Sequence, residues 1–283
     1  MAQSSTDIGR LIHLDDPRAQ SAAVIAPERG AIVTSFAVGG RELLFMDAST
    51  LHDRSKNVRG GVPVLFPTPG KLEHDSWRFG QRSGAMKQHG FARSEAWAVT
   101  TQGTQSVTLL LKSDATTLAQ YPWPFSAELR IELRGTCLRF DTRVSNAGGE
   151  AMPYALGFHP YFQVQDKARA RIPSRATRAF DNVTKTIVPF TGFDLTQPEV
   201  DIHLLDHPQP EATLQLADGA YITVRGSSDV VRWVVWTLAE RDFVCVEPWT
   251  APGNALNTGE HLIVLAPGAT HTSHMEIEYG THG

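Results

Sequence analysis

Short apolar runs punctuated by turn residues recur along the whole chain: AAVIAPERGAIVTSFAVGGRELLF, VTLLLKS, SAELRIELRGTCLRFDTRVSNAG, ATLQLADGAYITVRGSS, VVRWVVWTL, FVCVEPW and HTSHMEIEYG. They are rich in Val, Ile, Leu, Thr, Phe and Trp and bounded by Gly, Pro, Asn or Asp, the composition of β-strands and of the turns between them. In ELRIELRGTCLRFDTRVSN, Leu129, Ile131 and Leu133 alternate with charged residues, and Leu138, Phe140 and Val144 resume the pattern after Gly135. A period of two sends one set of side chains into a core and the other into water, so this segment predicts a hairpin with one wet face. Ala217-Asp218-Gly219 and Asn146-Ala147-Gly148-Gly149 supply residues that tolerate positive φ, and they predict further two-strand turns. Helical periodicity is weak, the best candidate being a short turn around SDATTLAQYPW. The economical architecture is an all-β antiparallel sandwich. No repeat, low-complexity tract or linker divides residues 1–283, which predicts a single domain.

Composition agrees with that picture. A chain of 283 residues with 41% hydrophobic and 20% charged side chains suits a large buried core. The formal net charge is −4, and no stretch concentrates Lys and Arg as a nucleic-acid footprint requires, so nucleic acid is excluded as a partner. Cys137 and Cys245 lie in apolar, strand-like runs where free thiols pack as small hydrophobes, and no disulfide framework is implied. The N-terminal MAQSSTDIGRLIHLDDP carries charges where a secretory signal needs an unbroken apolar core, and no run of about 18 apolar residues occurs. A cytoplasmic protein without a membrane partner is the expectation. No pattern assigns an oligomeric state.

Pro- and Gly-rich loops cluster at GGVPVLFPTPG, PYALGFHPYF and EPWTAPGN. Loops held by a rigid β scaffold are where chemistry commonly sits. Three polar residues stand out there and nearby: His89 in KQHGFAR, His159 in GFHPYF and Glu247 in VCVEPWT. Two histidines and a carboxylate are sufficient for acid–base work. Opening a pyranose requires a base for the proton of the anomeric hydroxyl and an acid for the ring oxygen, and closure reverses both roles. Such chemistry needs no cofactor. On local context alone each residue also has a plain structural reading, since the chain has eleven histidines and a carboxylate after FVCV can cap a strand or pair with an arginine. A metal set built from His89, His159 and Glu247 with His271 or His274 lacks the compact spacing of metal modules, so no metal is expected. No GxSxG elbow or nucleotide-type phosphate loop occurs, and neither cysteine has an electropositive setting.

The segments NVRGGVPVLFP (57–67), HGFAR (89–93), GFHPYF (157–162) and EPWTAPGNALNTGE (247–260), in this order, resemble the aldose 1-epimerase (galactose mutarotase-like) superfamily over most of the chain. The RGG-x-P-x-x-FP and HGFAR signatures are most similar to its bacterial aldose epimerase and hexose-6-phosphate mutarotase branch. The resemblance implies a large antiparallel β supersandwich with a cleft on its concave sheet, and a hexose or hexose 6-phosphate as the small-molecule partner. It makes Glu247 the general base at the anomeric hydroxyl and His159 the general acid towards the ring oxygen. His89 becomes the second histidine near that oxygen and Arg59 the arginine that orients the substrate. Asp201 in EVDIHLLDH is the best match to a sugar-binding aspartate, with Asp206 second. Trp249, Phe158 and Phe91 would offer apolar faces to the sugar. Arg93 and Arg82 have two readings each, as sugar or phosphate contacts or as members of structural ion pairs. The alternative function is a non-catalytic carbohydrate-binding protein on the same scaffold, which has no need of the acid–base trio.

Overall fold

A computed structural model describes residues 8–281, so the first seven residues of the N-terminal segment read above lie outside the described residues. The charged, alternating segment folds as a hairpin of strands Phe125–Arg134 and Cys137–Asn146, with Leu133 opposite Leu138, Ile131 opposite Phe140 and Ala127 opposite Val144. Gly135 makes the turn at φ 60°, a conformation that favours glycine. Phe125, Ala127, Leu129, Ile131 and Leu133 all enter the core. The other face carries charge: Arg130 pairs with Glu132, and Arg139 bridges Asp141 and Glu276. The hairpin centres a seven-stranded sheet in the order 211–215, 220–226, 270–281, 137–146, 125–134, 106–112 and 98–102.

A second sheet of eight strands packs over that core. Its path runs 186–189, 178–181, 199–204, 232–238, 243–249, 157–158 and 64–65, with Tyr161–Gln163 also pairing to Phe243–Trp249. Every strand ladder among the described residues is antiparallel. Phe243–Trp249 is buried along its entire length, as a strand covered on both faces must be. Val244 and Val246 join the main core, whereas Phe243 and Cys245 belong to a separate cluster with Tyr161 on the opposite side. By the same alternation Trp233 and Val235 face the core while Val234 and Trp236 face away from it. Glu199, Asp201 and His203 share that second face.

A four-stranded sheet, 12–16, 21–26, 32–38 and 41–42, is tied by isolated bridges Val33–Val62 and Met46–Gly60 to the segment bearing Arg59. The short helix falls at Ala115–Gln120, started by a reciprocal cap in which Asp114 Oδ1 accepts from Thr117 N and Thr117 Oγ1 accepts from Asp114 N, both at 2.8 Å. Residues 217–219 join two paired strands as expected. Asn146–Gly149 does not: the chain leaves the sheet there, and the next strand, Met152–Tyr154, pairs with Ile263–Leu265 instead. The Asn146 side chain ends the hairpin by donating to Glu150 O and Leu265 O, at 2.7 and 2.9 Å, and accepting from Gly148 N. Among the described residues no helix is long and apolar enough to cross a membrane.

Candidate active site

The outer face of the eight-stranded sheet floors a cleft of ≈ 1320 Å³. Glu247 rises from the buried strand at its base and is only 1% exposed. Its Oε2 accepts the Trp249 indole N–H at 3.1 Å, and its Oε1 lies 3.3 Å from His159 Nε2. His159 follows the short strand Gly157–Phe158 and stacks on Tyr161, with centroids 4.6 Å apart and planes at 10°. Trp236 and His89 meet it edge-on at 5.6 and 5.5 Å. Gly157 makes this convergence possible, because a Cβ there would lie 2.6 Å from Trp249 Cδ1.

His89 sits in the left-handed region at φ 69° and is held at both ends. Its backbone N–H donates to Gly70 O at 2.8 Å, and its Nδ1 accepts from Gly70 N at 3.0 Å. An accepting Nδ1 places the proton of the neutral ring on Nε2, which is therefore a donor.

Burial drives all three groups towards their neutral forms. Desolvation, reinforced by the Arg93 guanidinium, brings His159 down to about 3. Desolvation also holds His89 well below the ordinary histidine value, with His159, Arg93 and His203 adding to the effect. Glu247 is pushed well above the usual carboxylate range by desolvation and then by the charge of Asp201, while the Trp249 hydrogen bond pulls it back. Burial also acts to raise Asp201, but hydrogen bonds from its neighbours win and keep it low. Those neighbours are His203, whose Nε2 is 3.1 Å from Oδ1, and Asn182, which donates to Oδ2 at 2.6 Å. Lys185 in turn donates to Asn182 Oδ1 at 2.6 Å. The Arg59 guanidinium lies over Trp236 at 5.9 Å, and Arg93 donates to Gln88 O at 2.8 Å. Neither arginine has a carboxylate partner among the described residues.

Glu247, His159, His89, Arg59, Asp201, Trp249 and Arg93 thus line one cleft. Phe91 does not, contrary to the expectation that it faces a sugar. Its backbone N–H donates to Phe66 O, and its ring is carried into the core against Phe66 and Phe125, at 6.1 and 5.9 Å. Phe158 likewise packs on Phe140 in the core. Asp206 is exposed and engaged with the Thr177 hydroxyl and the backbone of Thr177 and Arg178, so Asp201 is the aspartate of the cleft. Arg82 pairs with Glu150 at 2.9 Å, and His271 bonds the Tyr154 hydroxyl at 2.7 Å, both outside the cleft. His203, Asn182, Tyr161 and Trp236 were not singled out in the sequence. The alternation in EVDIHLL contained the signal for His203, because Asp201 and His203 share one face of Glu199–Leu204.

The family model described as Aldose 1-epimerase matches residues 10–278. The chain belongs to the aldose 1-epimerase family. Similar solved structures include the Slr1438 protein from Synechocystis sp. PCC 6803, 34% identical with a TM-score of 0.95 and 98% of each chain covered. A galactose mutarotase-like protein from Lactobacillus casei, 23% identical, shares the fold at a TM-score of 0.79, covering 96% of this chain and 100% of its own. A Cenchrus ciliaris protein named "Putative glucose-6-phosphate 1-epimerase" is 27% identical over 244 residues, 74% of this chain and 69% of that protein. In this aldose 1-epimerase family member the cleft walls come from segments far apart in sequence, with Glu247 and His159 buried in its lining.

Proposed function

We propose that this protein is a mutarotase, an isomerase that interconverts the α and β anomers of a hexose or hexose 6-phosphate by acid–base ring opening and closure. The observation that carries the reading is the 3.3 Å approach of His159 Nε2 to Glu247 Oε1 at the floor of a cleft with ample room for a hexose. In the ring form of the substrate, the Glu247 carboxylate takes the proton of the O1 hydroxyl while the His159 imidazolium gives one to O5. The C1–O5 bond breaks and the aldehyde forms. Rotation about C1–C2 presents the other carbonyl face, and the same two transfers in reverse close the opposite anomer.

The proton count favours this pair. Ring opening converts carboxylate and imidazolium into carboxylic acid and neutral imidazole, the two forms that burial stabilises here. The ionised pair is therefore the less populated arrangement of the shared proton from which ring opening starts, and the neutral pair is the one that accompanies the open-chain sugar. His89, with its proton on Nε2, supports the ring oxygen. Asp201, His203 and Trp249 hold and face the sugar's hydroxyl and C–H surfaces. Arg59 and Arg93, free of carboxylates, suit either sugar hydroxyls or a phosphate, and the name of the Cenchrus relative lends weight to the phosphorylated substrate.

The test is polarimetry or saturation-transfer NMR on freshly dissolved α-glucose, galactose and glucose 6-phosphate. Faster approach to anomeric equilibrium, lost in Glu247→Gln, supports the mutarotase and ranks its substrates. Binding without acceleration across the panel assigns the cleft to a carbohydrate-binding protein instead.

A further inference from the structure

We propose that His159, Cys245 and Glu247 form a binding site for a thiophilic divalent cation such as Zn²⁺ or Cd²⁺, which occupies the place of the proton that the acid–base pair shares. Each of the three residues offers one ligand atom, and those atoms lie within 4.8 Å of one another. The 3.3 Å between His159 Nε2 and Glu247 Oε1 is already the separation of two ligands on one tetrahedral zinc, since nitrogen and oxygen at about 2.0–2.1 Å from the metal stand roughly 3.3–3.4 Å apart. Sulfur at about 2.3 Å from the same ion sits slightly farther from its neighbours, so a small shift of the Cys245 side chain completes the set.

Strand geometry makes this arrangement. Cys245 precedes Glu247 by two residues on the same face of Phe243–Trp249, so its side chain points the same way, and it lies opposite Tyr161 in the pairing with Tyr161–Gln163. The ring of His159 stacks on that tyrosine. The thiol is fully buried beneath the acid–base pair, whereas His159 and Glu247 both line the cleft. A cation held by the three side chains therefore keeps its fourth position towards the cleft, for water or a sugar hydroxyl. One imidazole nitrogen, one sulfur and one carboxylate oxygen select a borderline-to-soft ion and discriminate against Mg²⁺ and Ca²⁺, which demand oxygen ligands. On binding, the Cys245 S–H bond and the bond to the proton shared by His159 and Glu247 break, the metal–sulfur, metal–nitrogen and metal–oxygen bonds form, and both protons leave to solvent. With both His159 and Glu247 engaged by the ion, neither can exchange a proton with a sugar. That blockade rests on the mutarotase reading, whereas the binding site itself does not.

The two claims are separable by experiment. Full-length protein is titrated with Cd²⁺ while thiolate-to-metal charge-transfer absorption in the ultraviolet and the binding stoichiometry are followed. Cys245→Ser, close in size to the native residue, and Cys245→Ala serve as test variants. Cys137→Ala is the control, since Cys137 is the other free thiol and stands half-buried on the seven-stranded sheet opposite Glu278. The expected result is one cation per chain and an absorption band that is retained in Cys137→Ala and lost in both Cys245 variants. Mutarotation by the native protein should fall to background as buffered Zn²⁺ is raised and recover with EDTA, while the Cys245 variants turn over sugar at the same Zn²⁺ level. A band that survives in the Cys245 variants, or no band in the native protein, overturns the site. Stoichiometric binding that leaves the mutarotation rate unchanged overturns the blockade. Absence of mutarotation in metal-free native protein counts against the proposed function alone, because the absorption measurement still decides the site.

Discussion

Trp249 donates its indole N–H to Glu247 Oε2 across 3.1 Å, from two residues farther along the same face of one strand. That bond occupies one carboxylate oxygen and leaves the other turned to His159. It also opposes the upward push of burial on the Glu247 carboxyl. Trp249→Phe keeps an aromatic face and removes the donor, so the Glu247 pKa should rise further and the carboxylate lose its orientation. The expected outcome is a lower kcat with a smaller change in KM, checked by steady-state mutarotation kinetics. A change confined to KM would show that Trp249 serves only as a sugar platform.

Glu247→Gln preserves shape and removes the base. Mutarotation should fall by about 10²–10⁴-fold, the usual contribution of a positioned acid–base group, with sugar affinity by calorimetry largely retained. Thermal stability should not decrease, because the native residue is a desolvated carboxyl with a raised pKa. Parallel losses of binding and rate would contradict the assignment.

The His159–Glu247 pair titrates as a unit. Its singly protonated form is the active one, and it spans the interval from the depressed value of His159, about 3, to the raised value of Glu247. The kcat/KM profile should accordingly show no acid limb near about 6.5, where an ordinary histidine titrates. An acid limb at that pH would show that His159 is not held neutral.

Asp201 raises the Glu247 pKa by its charge. Asp201→Asn removes that charge, so the alkaline limb of the rate profile should move to lower pH. KM should also rise as the contacts to His203 and Asn182 rearrange. An unmoved limb with raised KM would confine Asp201 to substrate binding.

His89 gives the stability prediction, and its sign follows from a depressed folded-state pKa. Below about pH 6.5 the unfolded chain protonates this histidine while the native chain does not, so its contribution to stability, present above that pH, is lost as pH falls by up to about 1.4 kcal/mol per pH unit. Urea unfolding at pH 7.5 and 5.5 should show a smaller acid loss in His89→Gln than in the native protein, by about 1 kcal/mol. Identical losses would mean that His89 protonates in place.

Phe91 belongs to the core rather than the cleft, being 4% exposed among Phe66, Tyr121 and Phe125. Phe91→Ala should destabilise by about 3–5 kcal/mol. Phe91→Leu should leave KM for the sugar unchanged, and a raised KM in that variant would return Phe91 to the site.

Much of this protein was legible in its sequence because a strand has a period of two. The alternation in 125–146 specified a hairpin and its wet face, and the buried run FVCVEPW set Glu247 apart as an ionisable group where solvent is absent. Four ordered motifs also carried the family. The period says which residues of a strand share a face, but not which face meets the core and which meets a cleft, and loops have no period at all. Hence Phe91 and His89, two residues apart in one loop, read alike and point to different places. Asp201 and Asp206 were separated only when strand Glu199–Leu204 laid Asp201 beside His203 and left Asp206 on an exposed turn. Asn182, which completes that cluster, arrives from a neighbouring hairpin. The shift of His159 and Glu247 towards neutrality was likewise a tertiary decision, since desolvation depends on everything packed around a group and on nothing within its own segment.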